Sequence, residues 1–241
     1  MLHIHNLTKR YGNFLAVQDL SLDVQAGEIV GLLGPNGAGK TTTIGCITTL
    51  LQPTSGTLTL NGHDILARPE AAKRQLGYVP EAPNPYDMLT VWEHLRFVSA
   101  AFGQEEEMAH AEPLLRRLDL WEKRNDLAAS LSKGLKQKLA CACAFIHRPR
   151  FLCFDEPLIG IDPKGARELK TMLQERRDAG DAVLVSTHQL DTAERLCDRV
   201  IIMHRGRVAA QGTLRALHDQ MGMGTEATLE DIFLRLTGGG G

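Results

Sequence analysis

The 241-residue sequence predicts an α/β fold: a mostly parallel sheet, an antiparallel β subdomain at the N-terminus and a helical subdomain inserted into the core. Three observations predict it. Residues 1 to about 30 alternate apolar and polar with a period of two, as half-buried strands do. Later, short continuous apolar runs alternate with helical patterns, as in strands buried on both faces and joined by crossover helices. Between these regimes, Pro80, Pro83 and Pro85 open a long stretch of helical periodicity.

The elements follow in order. Leu2 and Ile4, then Leu20, Leu22 and Val24, mark the buried faces of the first strands. Residues 28–33 read as a buried strand, and 42–47 as the start of a helix. Residues 56–62 form a short strand ending in an Asn61-Gly62 turn. Another strand runs over 76–80. From Thr90 to about Arg148 the pattern is helical. Thr90-Val91-Trp92-Glu93 is a capping box, and Leu114, Leu115 and Leu118, like Leu135, Leu139, Cys143 and Ile146, recur at helical spacing. The core resumes with a strand at 151–154, a helix from about 164 to 179, a strand at 182–186, a helix at about 191–197 and a strand at 200–203. A turn at Arg205-Gly206 returns 208–210 as a hairpin. Leu229, Ile232, Phe233 and Leu236 share one face of a final amphipathic helix, and 238–241 read as a flexible glycine end. The expected division is 1–80 with 149–241 as the α/β core and 81–148 as the helical subdomain.

Composition narrows the function classes. The chain is 43% hydrophobic and 23% charged, ordinary for a globular domain. A net charge of −2 gives no support to a nucleic-acid binder working through bulk positive charge. No apolar run approaches the roughly 18 residues of a bilayer span, and Met1-Leu2-His3-Ile4-His5 has no apolar signal core. A cytoplasmic location follows, with any membrane role supplied by a partner. The five cysteines include no CxxC pair and sit mostly in apolar stretches, where they read as small buried hydrophobes.

The chemistry starts at Gly34-Pro35-Asn36-Gly37-Ala38-Gly39-Lys40-Thr41, which reads G-x-x-x-x-G-K-T. Glycines let backbone N–H groups turn towards an anion, and the following helix points its N-terminus at it. Lys40 can reach β- and γ-phosphates, and the Thr41 hydroxyl can ligate Mg²⁺. A strand before the loop and a helix after it predict a P-loop NTPase core.

Two further strand ends carry polar groups. The apolar run at 151–154 ends in Asp155-Glu156. Carboxylates there are costly to bury without a task, and that edge of a parallel sheet is where ligands bind. Asp155 is expected to hold Mg²⁺, directly or through water, and Glu156 to accept a proton from an attacking water. His188 follows the strand at 182–186 and is positioned to bond the γ-phosphate. Ser132 and Gly134, at a helix start in Leu131-Ser132-Lys133-Gly134-Leu135, offer a hydroxyl and accessible amides, either as a second anion-binding device or as a plain helix cap.

This order of motifs resembles the nucleotide-binding subunit of an ATP-binding cassette (ABC) transporter, from Leu2 to about Gln211. The resemblance implies an ATPase with ATP and Mg²⁺ as ligands. It implies that Tyr11 stacks on adenine and that Gly34, Pro35, Asn36, Gly37, Ala38, Gly39, Lys40, Thr41 and Thr42 form the phosphate loop. Ser132 and Gly134 would contact the ATP held by a second subunit, with a homodimer as the expected pairing. Asp155 would support Mg²⁺, Glu156 would be the catalytic carboxylate, Asp162 would communicate across the dimer, and His188 would be the switch histidine.

The sequence departs from the family at two places. The family's L-S-G-G-Q carries Lys133 at its first glycine and Leu135 at its glutamine. The glutamine entering the helical insert is Glu81, which can still offer an oxygen to Mg²⁺ or water. With the 228–233 ending, these departures are similar to exporter ATPases that pair with a separate transmembrane permease. Such a subunit would sit on the inner face of the membrane through the permease. The alternative is a non-transport ABC ATPase acting as a regulatory or interaction module.

Overall fold

In the computed structural model, which describes residues 1–224 and 226–238, two sheets and their helices form the α/β architecture that the sequence predicts. Strand β1 (Leu2–Tyr11) folds back into β2 (Phe14–Val24), and β3 (Ile29–Leu33) enters the phosphate loop. Helix α1 (Lys40–Ile47) follows, then β4 (Ser55–Leu60), the two-residue β5 (His63–Asp64), α2 (Pro69–Lys73) and β6 (Leu76–Val79). The helical stretch holds α3 (Val91–Ala101), α4 (Ala111–Arg117) and α5 (Lys133–Ile146). The core resumes with β7 (Phe151–Asp155), α6 (Pro163–Asp178), β8 (Ala182–Ser186), α7 (Leu190–Leu196) and the pair β9 (Arg199–His204) and β10 (Arg207–Gly212). It ends with α8 (Leu214–Met221) and α9 (Leu229–Thr237).

The antiparallel sheet has the order β2-β1-β4-β5, and the larger sheet β10-β9-β3-β8-β7-β6. Every pairing of the larger sheet is parallel except β9 with β10. Alternation explains why its strands read as unbroken apolar runs. Along β7, Phe151 and Cys153 face a core shared with the antiparallel sheet, while Leu152 and Phe154 face the helices. Helix α9 joins α7 and α8 over a third apolar cluster through Leu229 and Ile232.

Register brings the polar strand ends together. Asp155 pairs with Ser186, Leu32 also pairs with Ser186, and Val79 pairs with Phe154. The residues just past β3, β6, β7 and β8 therefore lie along one edge of the sheet.

Most elements lie within a residue or two of their sequence-derived bounds. The capping box is present, with Glu93 N–H donating to Thr90 Oγ1 at 3.2 Å and Thr90 N–H to Glu93 Oε2 at 2.8 Å. Helix α8 was not expected, although Thr213 caps it and Leu217 is buried beneath it. Of the expected glycine end, 239–241 lie outside the described residues. All five cysteines are free, and burial pushes the Cys141, Cys143 and Cys197 thiols up to about 12, which fits their reading as inert hydrophobes.

Candidate active site

The phosphate loop is held by its backbone. Gly39 takes the left-handed conformation (φ 103°) immediately before α1, and a Cβ there would stand 2.8 Å from the Ala16 carbonyl oxygen. No side chain fits that position. From it, Gly39 O accepts from both Thr43 N–H and the Thr43 hydroxyl at 2.9 Å. Lys40 is buried, and its ammonium donates to the Gly34 carbonyl at 2.6 Å and the Pro35 carbonyl at 3.2 Å. Burial lowers the Lys40 pKa, and the charges of Glu156, Asp155 and Glu81 oppose that shift. Three carboxylates from two strand ends, β7 and β6, thus sit within electrostatic reach of one lysine.

The carboxylate pair has its own supports. Asp155, 2% exposed, accepts a hydrogen bond from the Ser186 hydroxyl on the neighbouring strand. Glu156, 7% exposed, has a left-handed backbone (φ 49°), an uncommon state for a side chain of this kind. Its N–H donates to Ser186 O at 3.1 Å, and its carbonyl accepts from Ile159 N–H at 3.3 Å. Its Oε1 lies 2.8 Å from His188 Nδ1. An ionised carboxylate can only accept, so Nδ1 carries the proton of this bond and Nε2 is the nitrogen left for a ligand.

These groups line one cleft of about 350 Å³. It gathers Asn36, Gly37, Ala38, Gly39, Lys40, Thr41 and Thr42 from the loop with Glu81, Asp155, Glu156 and His188. Gly34 and Pro35 contribute from behind, through the carbonyls that hold Lys40. The rim is apolar, formed by Phe14 and Ala16. Tyr11 pairs with Phe14 across the hairpin but is not among the lining residues; Lys9 Nζ lies 5.0 Å from its ring centroid.

Ser132, Gly134 and Asp162 lie outside the cleft. Ser132 is exposed and caps α5, accepting from Leu135 N–H at 3.3 Å. Gly134 packs so closely that a Cβ would stand 2.3 Å from the Gly160 carbonyl oxygen. Close packing is therefore a reason for glycine there, beside the accessible amide that its place at a helix start suggests. Asp162 caps α6 through Gly165 N–H at 3.1 Å and meets Lys138 Nζ at 2.7 Å. Lys138 first, then the Gly165 amide, lowers the Asp162 pKa to about 2.

Sequence reasoning missed three of these residues: Ser186 as the support of Asp155, Lys138 as the partner of Asp162, and Phe14 at the cleft rim. A hydroxyl ending the strand beside Asp155 was a usable signal for Ser186. Lys138 and Asp162 are 24 positions apart and had none.

The donors reaching the cleft are hard oxygens, Thr41, Asp155, Glu156 and Glu81, which suit a divalent cation arriving with phosphates. Among the described residues no group of three or more His, Cys, Asp or Glu could hold a metal by itself. No described helix is long and apolar enough to cross a membrane.

Similarity to known proteins shows the family. The profile of the ABC transporter family matches residues 17–159. The ABC-type transporter ATP-binding protein EcsA of Bacillus subtilis is 40% identical over 239 residues, 98% of this chain and 96% of that protein. The Nod factor export ATP-binding protein I of Burkholderia lata is 39% identical over 218 residues, 90% of this chain and 72% of that protein. A solved ATP binding subunit of an ABC transporter superposes with a TM-score of 0.94 at 39% identity, covering 98% of this chain and 99% of its own. A dimeric bacterial ABC transporter cassette gives a TM-score of 0.82 at 26% identity, covering 89% of this chain and 99% of its own. A loop that can cradle phosphates, a supported carboxylate pair and these relatives lead to one assignment: the chain belongs to the ABC transporter family as an ATP-binding subunit with ATPase activity.

Proposed function

We propose that two copies of this chain close around two ATP molecules and drive a transmembrane permease in the direction of export. The observation that carries the proposal is the separation of two anion-binding turns. The phosphate loop opens into the cleft with Glu156 and His188, while the Ser132–Gly134 turn lies outside that cleft, exposed at the start of α5. A turn of this kind serves a nucleotide held by another copy. The dimeric cassette among the structural neighbours supports that arrangement.

In this reading the loop amides and Lys40 hold the β- and γ-phosphates. Phe14 and Tyr11, at the hairpin end, offer aromatic faces to the base. Thr41 and Asp155, with Glu81 nearby, would hold Mg²⁺, which when bound neutralises phosphate charge. Glu156 takes the proton of the attacking water, and His188, oriented by Glu156, meets the γ-phosphate through Nε2. Asp162 would communicate with the other copy. Loss of the γ-phosphate removes a contact shared by both halves, and the pair opens.

The permease surface is proposed around residues 83–97. Tyr86, Met88 and Phe97 are 62%, 80% and 50% exposed, an apolar display unusual for a free surface. Engagement there would hold the subunit on the inner face of the membrane. Relatives named for Nod factor export and for probable multidrug transport support export.

The test is Glu156→Gln. ATP hydrolysis is expected to fall by about 10²- to 10⁴-fold. ATP binding persists, and the chain elutes as a dimer with ATP. Hydrolysis at the wild-type rate would sink the assignment of Glu156. Failure of any membrane protein to co-purify, with residues 83–97 intact, would count against the permease.

A further inference from the structure

Away from the cleft, one buried lysine joins two functional segments of the same chain. Lys138 lies in the second turn of α5, and its side chain is 5% exposed. Its ammonium is 2.7 Å from Asp162 Oδ1 and 3.6 Å from Asp119 Oδ2. The packing makes room for it: a Cβ on Gly165 would stand 2.5 Å from Lys138 Cε. One turn earlier, Gly134 lies flush against the Gly160 carbonyl. The start of α5 and residues 158–165 are therefore welded by a backbone contact and an ion pair. Those residues begin just past Glu156, and Ile159 N–H holds the Glu156 carbonyl.

We infer that Lys138 is a positioning residue for hydrolysis: it ties the Ser132–Gly134 turn to the Glu156 segment, so that nucleotide met by the turn at one site is felt by the carboxylate at the other. The inference rests on the paired-subunit reading above. A mobile link would let the turn engage its nucleotide without moving Glu156. Lys138 Nζ held 2.7 Å from Asp162, together with Gly134 packed against the Gly160 carbonyl, leaves little such slack. Coupling of this kind between sites is commonly worth a factor of about 5 to 150.

Lys138 can be removed without stranding a buried charge. Its partners, Asp162 and Asp119, have side chains 52% and 41% exposed and stay solvated when the cation is gone. The experiment is steady-state ATPase of the full chain as wild type, Lys138→Met and Lys138→Arg. Binding of a fluorescent ATP analogue is measured at concentrations where the chain is monomeric.

In Lys138→Met, kcat is expected to fall about tenfold and the Hill coefficient to drop to about one. Its single-chain nucleotide affinity stays within about twofold, and Lys138→Arg restores both kcat and cooperativity. A cooperative wild type with unchanged kcat and Hill coefficient in Lys138→Met overturns the inference and leaves the paired reading standing. A kcat loss that follows a drop in melting temperature, with cooperativity intact, also overturns it. A wild type with a Hill coefficient of one and no ATP-dependent dimer overturns the paired reading, and this inference with it.

Discussion

The loop before α1 and the turn before α5 both open helices with glycine-flanked amides, yet the fold holds them differently. Around the first, Lys40 is buried and bonded to two loop carbonyls, and Gly39 is wedged against Ala16. Asp155 and Glu156 arrive with their own hydrogen-bond partners. Around the second, Ser132 is exposed and caps its own helix, and Gly134 packs backwards against Gly160 in the segment after Glu156. The first turn is built about a ligand of its own chain. The second is braced from behind and open in front, as expected of a surface that something else must meet. Damage to the first should abolish binding, and damage to the second should spare binding and stop turnover.

Lys40→Ala is the harshest way to sharpen that contrast. It removes a charge-assisted contact to phosphate and leaves two loop carbonyls without their donor. The affinity of the single chain for ATP should fall about 10- to 150-fold, read by fluorescence titration. An unchanged affinity would mean that the loop backbone alone binds nucleotide, and the contrast would lose its first half.

Gly134→Ala probes the second half. The new methyl meets the Gly160 carbonyl, so the turn or residues 158–162 must shift, at about 1–3 kcal/mol of overpacking. Single-chain ATP affinity should stay within about twofold, while kcat falls about tenfold. A matching loss of affinity would show that the two turns are not separable in one chain.

How much of this was legible in the sequence follows the same division. The phosphate loop and Asp155-Glu156 could be read directly, because their chemistry is contiguous and flanked by strands whose two buried faces leave unbroken apolar runs. His188 was legible from its place after the next such run. What escaped depends on register and packing. Ser186 supports Asp155 because β7 and β8 pair at that rung, and no local pattern announces a rung. Lys138 reads as one polar residue of an amphipathic helix until α6 brings Asp162 to it. Helix α8 did carry signals, Thr213 as cap and Leu214 and Leu217 at helical spacing, but it is only eight residues long and follows directly on a hairpin. For Gly134 the position was readable, but the close fit against Gly160 was not.

The smallest expected effect concerns the rim of the first turn, where sequence and structure favour different residues. The family resemblance points to Tyr11 for the base, but Phe14 lines the cleft. The two are cross-strand partners at the end of the β1–β2 hairpin, so a base entering there can meet either ring. Tyr11 lies beside a lysine, whereas Phe14 is 65% exposed. Stacking on an aromatic is worth about 1–3 kcal/mol by truncation, and an exposed rim position belongs at the low end. Phe14→Ala should raise the KM for ATP about fivefold with kcat unchanged, because a base contact acts equally on ground and transition states. Tyr11→Ala should do less. Among the described residues, the two that form this rim, Phe14 and Ala16, carry no polar side chain to read the base edge, so GTP should lose and gain in parallel with ATP across these variants. If Tyr11→Ala raises KM more than Phe14→Ala, the base lies on the outer ring as the resemblance implies. The rim of the first turn would then share the openness of the second, and the contrast between them would narrow to the phosphates.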